Sequence, residues 1–374
     1  MKLLINGLSL RSPRTGVGNY VFHLGQALTR IAPQDQIRFF YGGWIGGLHD
    51  QQSGRISGLT SRGRRHTWLY ALRHGMSQGA LALARRVQPW DLYHETGLVP
   101  LGGGRPTVMT LFDLSLVKFP ETHPPARVRF FNDQFPARAA AVEHFLTISH
   151  RVKQEMIATF GIPEQRISVT SLGVDQAYRP LNHEQAQGVL GRLGLKYGDY
   201  FLFVGTQEPR KNLATGLAAY QMLPAAIRRR LPWLQVGGAG WGMDQGASPP
   251  SGVIRAGYLP QADLPALYSG ARALIFPSLY EGFGLPVLEA MSCGCPVITS
   301  QDSAMAEVTG PAALHVNPLD PAGLAAAMER ISADPALGER LRQAGLARAR
   351  EFSWERCAEQ TLALYRRIVG RNRG

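Results

Sequence analysis

Short apolar runs alternate with longer amphipathic stretches along almost the whole chain. Residues 2–5 read as a strand. After them Thr15-Gly-Val-Gly-Asn-Tyr20 opens a helix whose Val21, Leu24, Leu28 and Ile31 recur on one face. Further apolar runs at 37–41, 91–94, 107–111 and 143–148 predict four more strands in this half. A second series follows the less regular segment 173–180, with strands expected at 200–204, 233–236, 253–255, 273–276 and 296–299. Helices at 263–269 and 285–291 fall between them. Strands separated by helices imply parallel sheets in doubly wound α/β layers. The simplest division is a first domain over 1–180, a second over 181–352, and a terminal segment, 353–374. Its helix has no strand after it and is expected to pack back on the first domain.

Composition narrows the class. A chain of 374 residues is long enough for two cores, and 45% apolar with 18% charged residues describes a globular protein. No apolar run reaches the roughly 18 residues that a bilayer span needs. The N-terminal apolar stretch is short and lacks a small-residue cleavage site, so it reads as a strand and not a leader. Three cysteines, two of them in Cys293-Gly-Cys295, suit neither a disulfide framework nor a zinc site. They point to small-residue packing in a reducing cytoplasm.

The net charge of +13 adds something. Only five of the forty basic residues are lysine, and between Asp50 and Asp91 there is no acid at all. That stretch carries Arg55, Arg62, Arg64, Arg65, Arg73, Arg85 and Arg86. Such a block attracts phosphate-rich partners, whether nucleic acid, anionic lipid headgroups or a pyrophosphate-linked acceptor. No nucleic-acid-binding motif accompanies it, which disfavours the first. Residues 42–66, rich in Gly, Ser and Arg, read as a long loop.

Three loops carry candidate chemistry, two of them directly after an expected strand and the third at the first strand–helix junction. The densest is Pro277-Ser-Leu-Tyr-Glu-Gly-Phe-Gly-Leu-Pro-Val-Leu-Glu289. Glu281 precedes the helix, Glu289 lies about one turn inside it, and Gly282 and Gly284 permit close backbone approach to a ligand. Amides at a helix N-terminus hold negative charge or donate to hydroxyls. Val204-Gly-Thr-Gln-Glu-Pro-Arg-Lys-Asn212 places two adjacent cations, Arg210 and Lys211, where a diphosphate would suit them. The weakest signal is Gly16 with Gly18. The bland alternatives are an ordinary βα turn with a solvated glutamate at each end, and a solvated basic turn.

Together the E-G-F-G-L-P-V-L-E, E-P-R-K-N and T-G-V-G-N-Y stretches resemble the retaining glycosyltransferases of family 4. The resemblance spans nearly the whole chain, and it implies the GT-B fold, α/β with two Rossmann-like doubly wound domains facing a central cleft. It implies that Arg210 and Lys211 hold the donor diphosphate and that Glu289 takes the ribose hydroxyls. Glu281, with the amides of Phe283, Gly284 and Leu285, would bind the transferred sugar, while Gly16 and Gly18 line the N-terminal side. It further implies metal-independent chemistry with no cofactor beyond a nucleotide-sugar substrate, GDP-sugar favoured. No Asp-x-Asp element is present.

One position departs from the family. Where members carry a histidine beside the 6-hydroxyl of the donor sugar, this chain has Phe112, followed by Asp113. A phenyl ring leaves that hydroxyl unsatisfied but packs well on a methyl group. Two donors therefore stay open: a 6-deoxyhexose such as GDP-rhamnose, or an ordinary hexose such as GDP-mannose with Phe112 only filling the wall. The expected acceptor is a polyprenyl-diphosphate-linked glycan in surface polysaccharide assembly, such as O-antigen. The enzyme would meet it at the anionic cytoplasmic face of the inner membrane through Arg55, Arg62, Arg64, Arg65 and Arg73. A sugar-nucleotide epimerase, a glucan synthase or a non-catalytic sugar-nucleotide-binding protein are the alternatives.

Overall fold

The computed structural model describes residues 1–11, 16–49, 67–102, 104, 106–238 and 248–372. They form two units, Met1–Gly173 with Ser353–Gly374, and Val174–Phe352. The first unit thus ends seven residues before the expected boundary at 180. The reason is packing: Tyr178 lies against Tyr268 of the second unit, ring centroids 6.0 Å apart.

The first unit is built on a seven-stranded sheet. Its strands are β1 (Lys2–Asn6), β2 (Gln36–Phe40), β3 (Ile45–Gly46), β4 (Leu92–Glu95), β5 (Thr107–Thr110), β6 (His144–Thr147) and β7 (Ile167–Val169). They lie in the order β3-β2-β1-β4-β5-β6-β7, with only β3 antiparallel. Strands β4 to β6 are wholly buried, yet they carry polar residues. Those groups must find partners inside the protein, and they do. His94 contacts Thr110 Oγ1 at 2.7 Å through Nε2 and the Tyr365 hydroxyl at 2.6 Å through Nδ1. Burial drives its pKa down to about 3, so it is a neutral structural residue. Glu95 accepts from Asn6, Gly97 N, Leu101 N and the Tyr93 hydroxyl, tying down the turn after β4.

Tyr365 belongs to the last helix, Trp354–Arg371, which packs on the helix Gly16–Ile31 of the same unit. Trp354 stacks on His23 at 5.2 Å and meets Tyr20 edge-on. The strong amphipathicity of this helix explains the return: its buried face is a continuous row from Trp354 through Cys357, Thr361, Leu364 and Ile368.

The second unit has six parallel strands. These are β8 (Phe201–Val204), β9 (Trp233–Val236), β10 (Val253–Gly257), β11 (Ala273–Phe276), β12 (Val297–Ser300) and β13 (Leu314–Val316). Their order is β10-β9-β8-β11-β12-β13. The chain winds one way from β8 and the other way from β11, so the loops leaving those two neighbours part in opposite directions. Ligands of such sheets bind at this switch point, outside the carboxyl ends of the strands. Gly237, at φ 143°, is obligatory beside it: a Cβ there would sit 2.0 Å from the Gly205 carbonyl oxygen.

Expected and observed strand limits agree within one or two residues. Strands β3, β7 and β13 were not foreseen, since two or three residues are too few for a period to show. The helix Thr67–Val87 was not foreseen either. Of the expected loop 42–66, residues 45–46 form β3 and 50–66 lie outside the described residues.

Candidate active site

Loops from β8 and β11 meet at the switch point of the second unit. After β8, residues 209–211 make a single tight turn and Asn212 takes the left-handed conformation, φ 57°. Asparagine tolerates that region better than most residues. Its side-chain amide donates to the carbonyls of Pro277 at 3.1 Å and Pro318 at 2.6 Å, clamping the basic loop to those that follow β11 and β13. A backbone bond, Leu279 N to Arg210 O at 2.9 Å, completes the clamp.

This brings Arg210 and Lys211 onto Glu281. Arg210 Nη1 lies 3.0 Å from Glu281 Oε2, and Lys211 Nζ bonds Oε1. Ser278, fully buried, holds its hydroxyl 2.9 Å from the same Oε1. Arg210 also donates to the Tyr280 carbonyl and lies 3.4 Å from Glu208. Lys211 stands over the Phe276 ring at 5.0 Å. All three charged side chains are only 11% exposed, so neither a solvated basic turn nor a solvated glutamate describes them. Burial would raise the Glu281 carboxyl, but the two cations outweigh it and hold the group at about 2.

Next to this cluster the helix Leu285–Ser292 begins, with Pro286 in its first turn. Its N-cap is Gly284, φ 100°, and no side chain caps it. A Cβ at Gly284 would approach Met305 Cγ to 2.7 Å, so only glycine fits. The amides of Phe283, Gly284 and Leu285 have no carbonyl one helical turn back to bond, which leaves them suited to an oxygen-rich ligand. Phe283 is itself buried, edge-on to Phe352 at 5.8 Å.

Glu289 stands apart from the cations. It accepts from the Tyr268 hydroxyl at 2.8 Å. Burial raises its pKa to about 7, although the Tyr268 and Tyr178 hydroxyls pull the other way. A carboxyl raised in the folded state favours folding fully below about 4.5, and that contribution disappears as pH rises through 7. Glu289→Gln is therefore expected to gain several °C in melting temperature relative to the parent between pH 5 and 8, with little difference below pH 4.5. Thermal melts across that range check it.

The remaining expected site residues belong to the first unit. Gly16 is exposed and Gly18 buried, both in the first turn of their helix; Thr15 lies outside the described residues. Phe112 packs edge-on against Tyr20, ring centroids 4.9 Å apart, and Tyr20 in turn contacts Thr110 Oγ1 at 3.0 Å. Asp113 accepts from Ser115 N at 2.8 Å and so shapes the turn after β5. Ser278 and Tyr268 were missed as site residues: a serine or tyrosine has no sequence pattern that announces a hydrogen bond to a distant carboxylate. Cys293, Cys295 and Cys357 are buried free thiols, with burial raising all three above the usual range.

Comparison with known proteins identifies the family. A model of glycosyltransferase family 4 matches residues 14–178, and a model of glycosyl transferases group 1 matches 195–348. O-antigen chain mannosyltransferase B of Escherichia coli is 34% identical over 384 residues, covering 98% of this chain and all of that one. The serotype-specific mannosyltransferase WbdA of the same organism is 31% identical over 59% of this chain, which amounts to 28% of WbdA. Among solved structures, sucrose-phosphate synthase from Thermosynechococcus elongatus superposes with a TM-score of 0.76 at 21% identity over 99% of each chain. WaaG, a glycosyltransferase involved in lipopolysaccharide biosynthesis, gives 0.72 at 14%, covering 99% of this chain and 100% of that one. Both show the GT-B architecture of paired Rossmann-like units. With its basic loop and glutamate helix at the switch point of the second sheet, the chain is a glycosyltransferase and belongs to glycosyltransferase family 4.

Proposed function

We propose that this enzyme moves mannose, with retention, from a GDP-linked donor to a growing O-antigen glycan carried on a polyprenyl diphosphate. The largely buried Arg210–Lys211–Glu281 cluster carries the reading, because it joins cations for a leaving diphosphate to a carboxylate for sugar hydroxyls. As the bond from the anomeric carbon to the diphosphate breaks, negative charge grows on the leaving oxygen, and fixed cations stabilise that state more than the ground state. The acceptor hydroxyl attacks from the face the diphosphate leaves, giving its proton to the departing phosphate oxygen. Arg210 and Lys211 supply the charge that a divalent metal would otherwise bring. Glu289, in its carboxylate form, would accept the two ribose hydroxyls in place of Tyr268.

Mannose is favoured over rhamnose on two grounds. The full-length relative is named for mannosyl transfer, and Phe112 already has an aromatic partner in Tyr20, as a wall residue would. Side-by-side turnover of GDP-mannose and GDP-rhamnose with a lipid-linked glycan tests it. Mannose is expected to win clearly; preferential use of rhamnose overturns the choice of sugar. Turnover of donor with no acceptor would instead favour an epimerase.

We place the reaction at an anionic membrane surface. Arg55, Arg62, Arg64 and Arg65 lie outside the described residues, while Arg73 is exposed on the helix Thr67–Val87. No helix among the described residues is long and apolar enough to cross a membrane.

A further inference from the structure

The helix Thr67–Val87 has two unlike faces, and the mechanism uses neither. On its inner side Tyr70 stacks on Phe130 at 5.8 Å, and Leu81 is buried in a cluster with Leu4, Phe40, Tyr93 and Leu101. Gln78 donates to the Leu101 carbonyl at 3.0 Å. These contacts anchor the helix to its unit. The opposite side should carry charges, as the solvent face of a surface helix does. It carries Trp68, Leu72, Met76, Leu83 and Val87 instead, between 52% and 77% exposed.

Those five positions are not scattered. At about 100° per residue they fall within an arc of roughly 100°, forming one stripe along an axis about 30 Å long. A single exposed leucine needs no explanation; a contiguous stripe of this length marks an interaction surface.

Charge identifies the occupant. Arg86 lies at one edge of the stripe and Arg73 just beyond the other, both exposed, and no acid occurs anywhere between Asp50 and Asp91. Pairing two copies through this face would bring two acid-free, arginine-bearing surfaces together. An anionic bilayer instead satisfies both features, with phosphates at the level of the arginines and acyl chains below.

We propose that the helix Thr67–Val87 lies in the headgroup layer of an anionic membrane and buries Trp68, Leu72, Met76, Leu83 and Val87 among the acyl chains. This rests on the reading that the enzyme works at such a surface, and names the element that enters it. Attachment then has an apolar component that salt does not screen, beside an arginine component that salt does.

The test uses the full chain with Leu72→Cys carrying a polarity-sensitive fluorophore, since the native cysteines are buried. It is mixed with phosphatidylcholine vesicles containing or lacking phosphatidylglycerol, at low and high salt. The expected result is a blue shift on anionic vesicles and a bound fraction that survives high salt. The variant Leu72→Ser/Met76→Ser/Leu83→Ser should bind such vesicles at least about ten-fold more weakly. It should melt as the parent does and turn over a soluble acceptor at the same rate. Binding that is wholly salt-labile, with no shift, overturns insertion while leaving the electrostatic reading intact. No binding to anionic vesicles overturns both. A shift that depends on protein concentration without lipid, and that the triple variant abolishes, assigns the stripe to a second copy.

Discussion

Lys211→Ala is expected to lower kcat by roughly two to three orders of magnitude, the usual cost of removing one fixed charge from a site where charge develops. The side chain is 11% exposed, with its amine against Glu281 and over Phe276, where water screens it little. Its charge is therefore worth most to the leaving diphosphate late in bond breaking, when that group is most negative. KM for the donor should move less than kcat, because ground-state diphosphate still meets Arg210. Folding should be largely retained, since Arg210 and Ser278 keep Glu281 partnered. Initial rates over a range of donor concentrations, with a melting curve alongside, give the answer. A variant with unchanged kcat and raised KM would make Lys211 a binding residue only.

Glu281→Ala is expected to be the most destabilising single change in the site. It would leave Arg210 and Lys211 largely buried and facing each other without their shared counter-charge. Breaking a buried pair by deleting one partner costs about 3–5 kcal/mol, which for a unit of this size lowers the melting temperature by roughly 10 °C. Transfer should be lost as well, because the carboxylate nearest the helix N-terminus is gone. Glu281→Gln keeps a hydrogen-bond acceptor for Lys211 and should fall between the two. The sign of the pH dependence follows from the depressed pKa. The stability that Glu281 contributes is fully present above about 4.5 and is lost as pH falls towards 2. The gap in melting temperature between parent and Glu281→Gln should be flat from pH 5 to 8 and close below pH 4.5. A Glu281→Ala protein that melts like the parent would mean that the two cations find other partners.

The two glutamates show why equal residue types part company in one short motif. Glu281 and Glu289 are eight positions apart and both largely buried, yet one is held near 2 and the other raised to about 7. Burial opposes ionisation of both. Arg210 and Lys211 overcome it at Glu281, and two tyrosine hydroxyls fail to do so at Glu289. Within the motif only Ser278, bonded to Glu281, distinguishes them. The difference comes from the loop after β8, some seventy residues earlier, and from Tyr268 in another helix.

Local chemistry was largely legible in the chain. Apolar-rich runs of three to six residues announced ten strands, because strands buried on both faces of a sheet are rich in apolar residues. The glycine-rich turn and Pro286 announced a strand-to-helix junction, because glycine lets the backbone turn tightly and proline suits the first turn of a helix. The cations and glutamates were found as charges placed directly after strands. The short strands β7 and β13 and the helix Thr67–Val87 were not found. In that helix the stripe of large apolar residues faces outward, which defeats the rule that periodic apolar positions mark the core.

The sequence by itself determined two doubly wound α/β units, the loops that bear the chemistry and the family to which the chain belongs. These follow from short-range patterns: periodicity, turn residues and charges counted from the end of a strand. Only the tertiary structure decided which charges meet, that Ser278 and Tyr268 share in the site and that residues 174–180 belong with the second unit. Each of these depends on contacts between residues far apart in the chain, where strand order and packing set the distances and spacing along the chain carries no information.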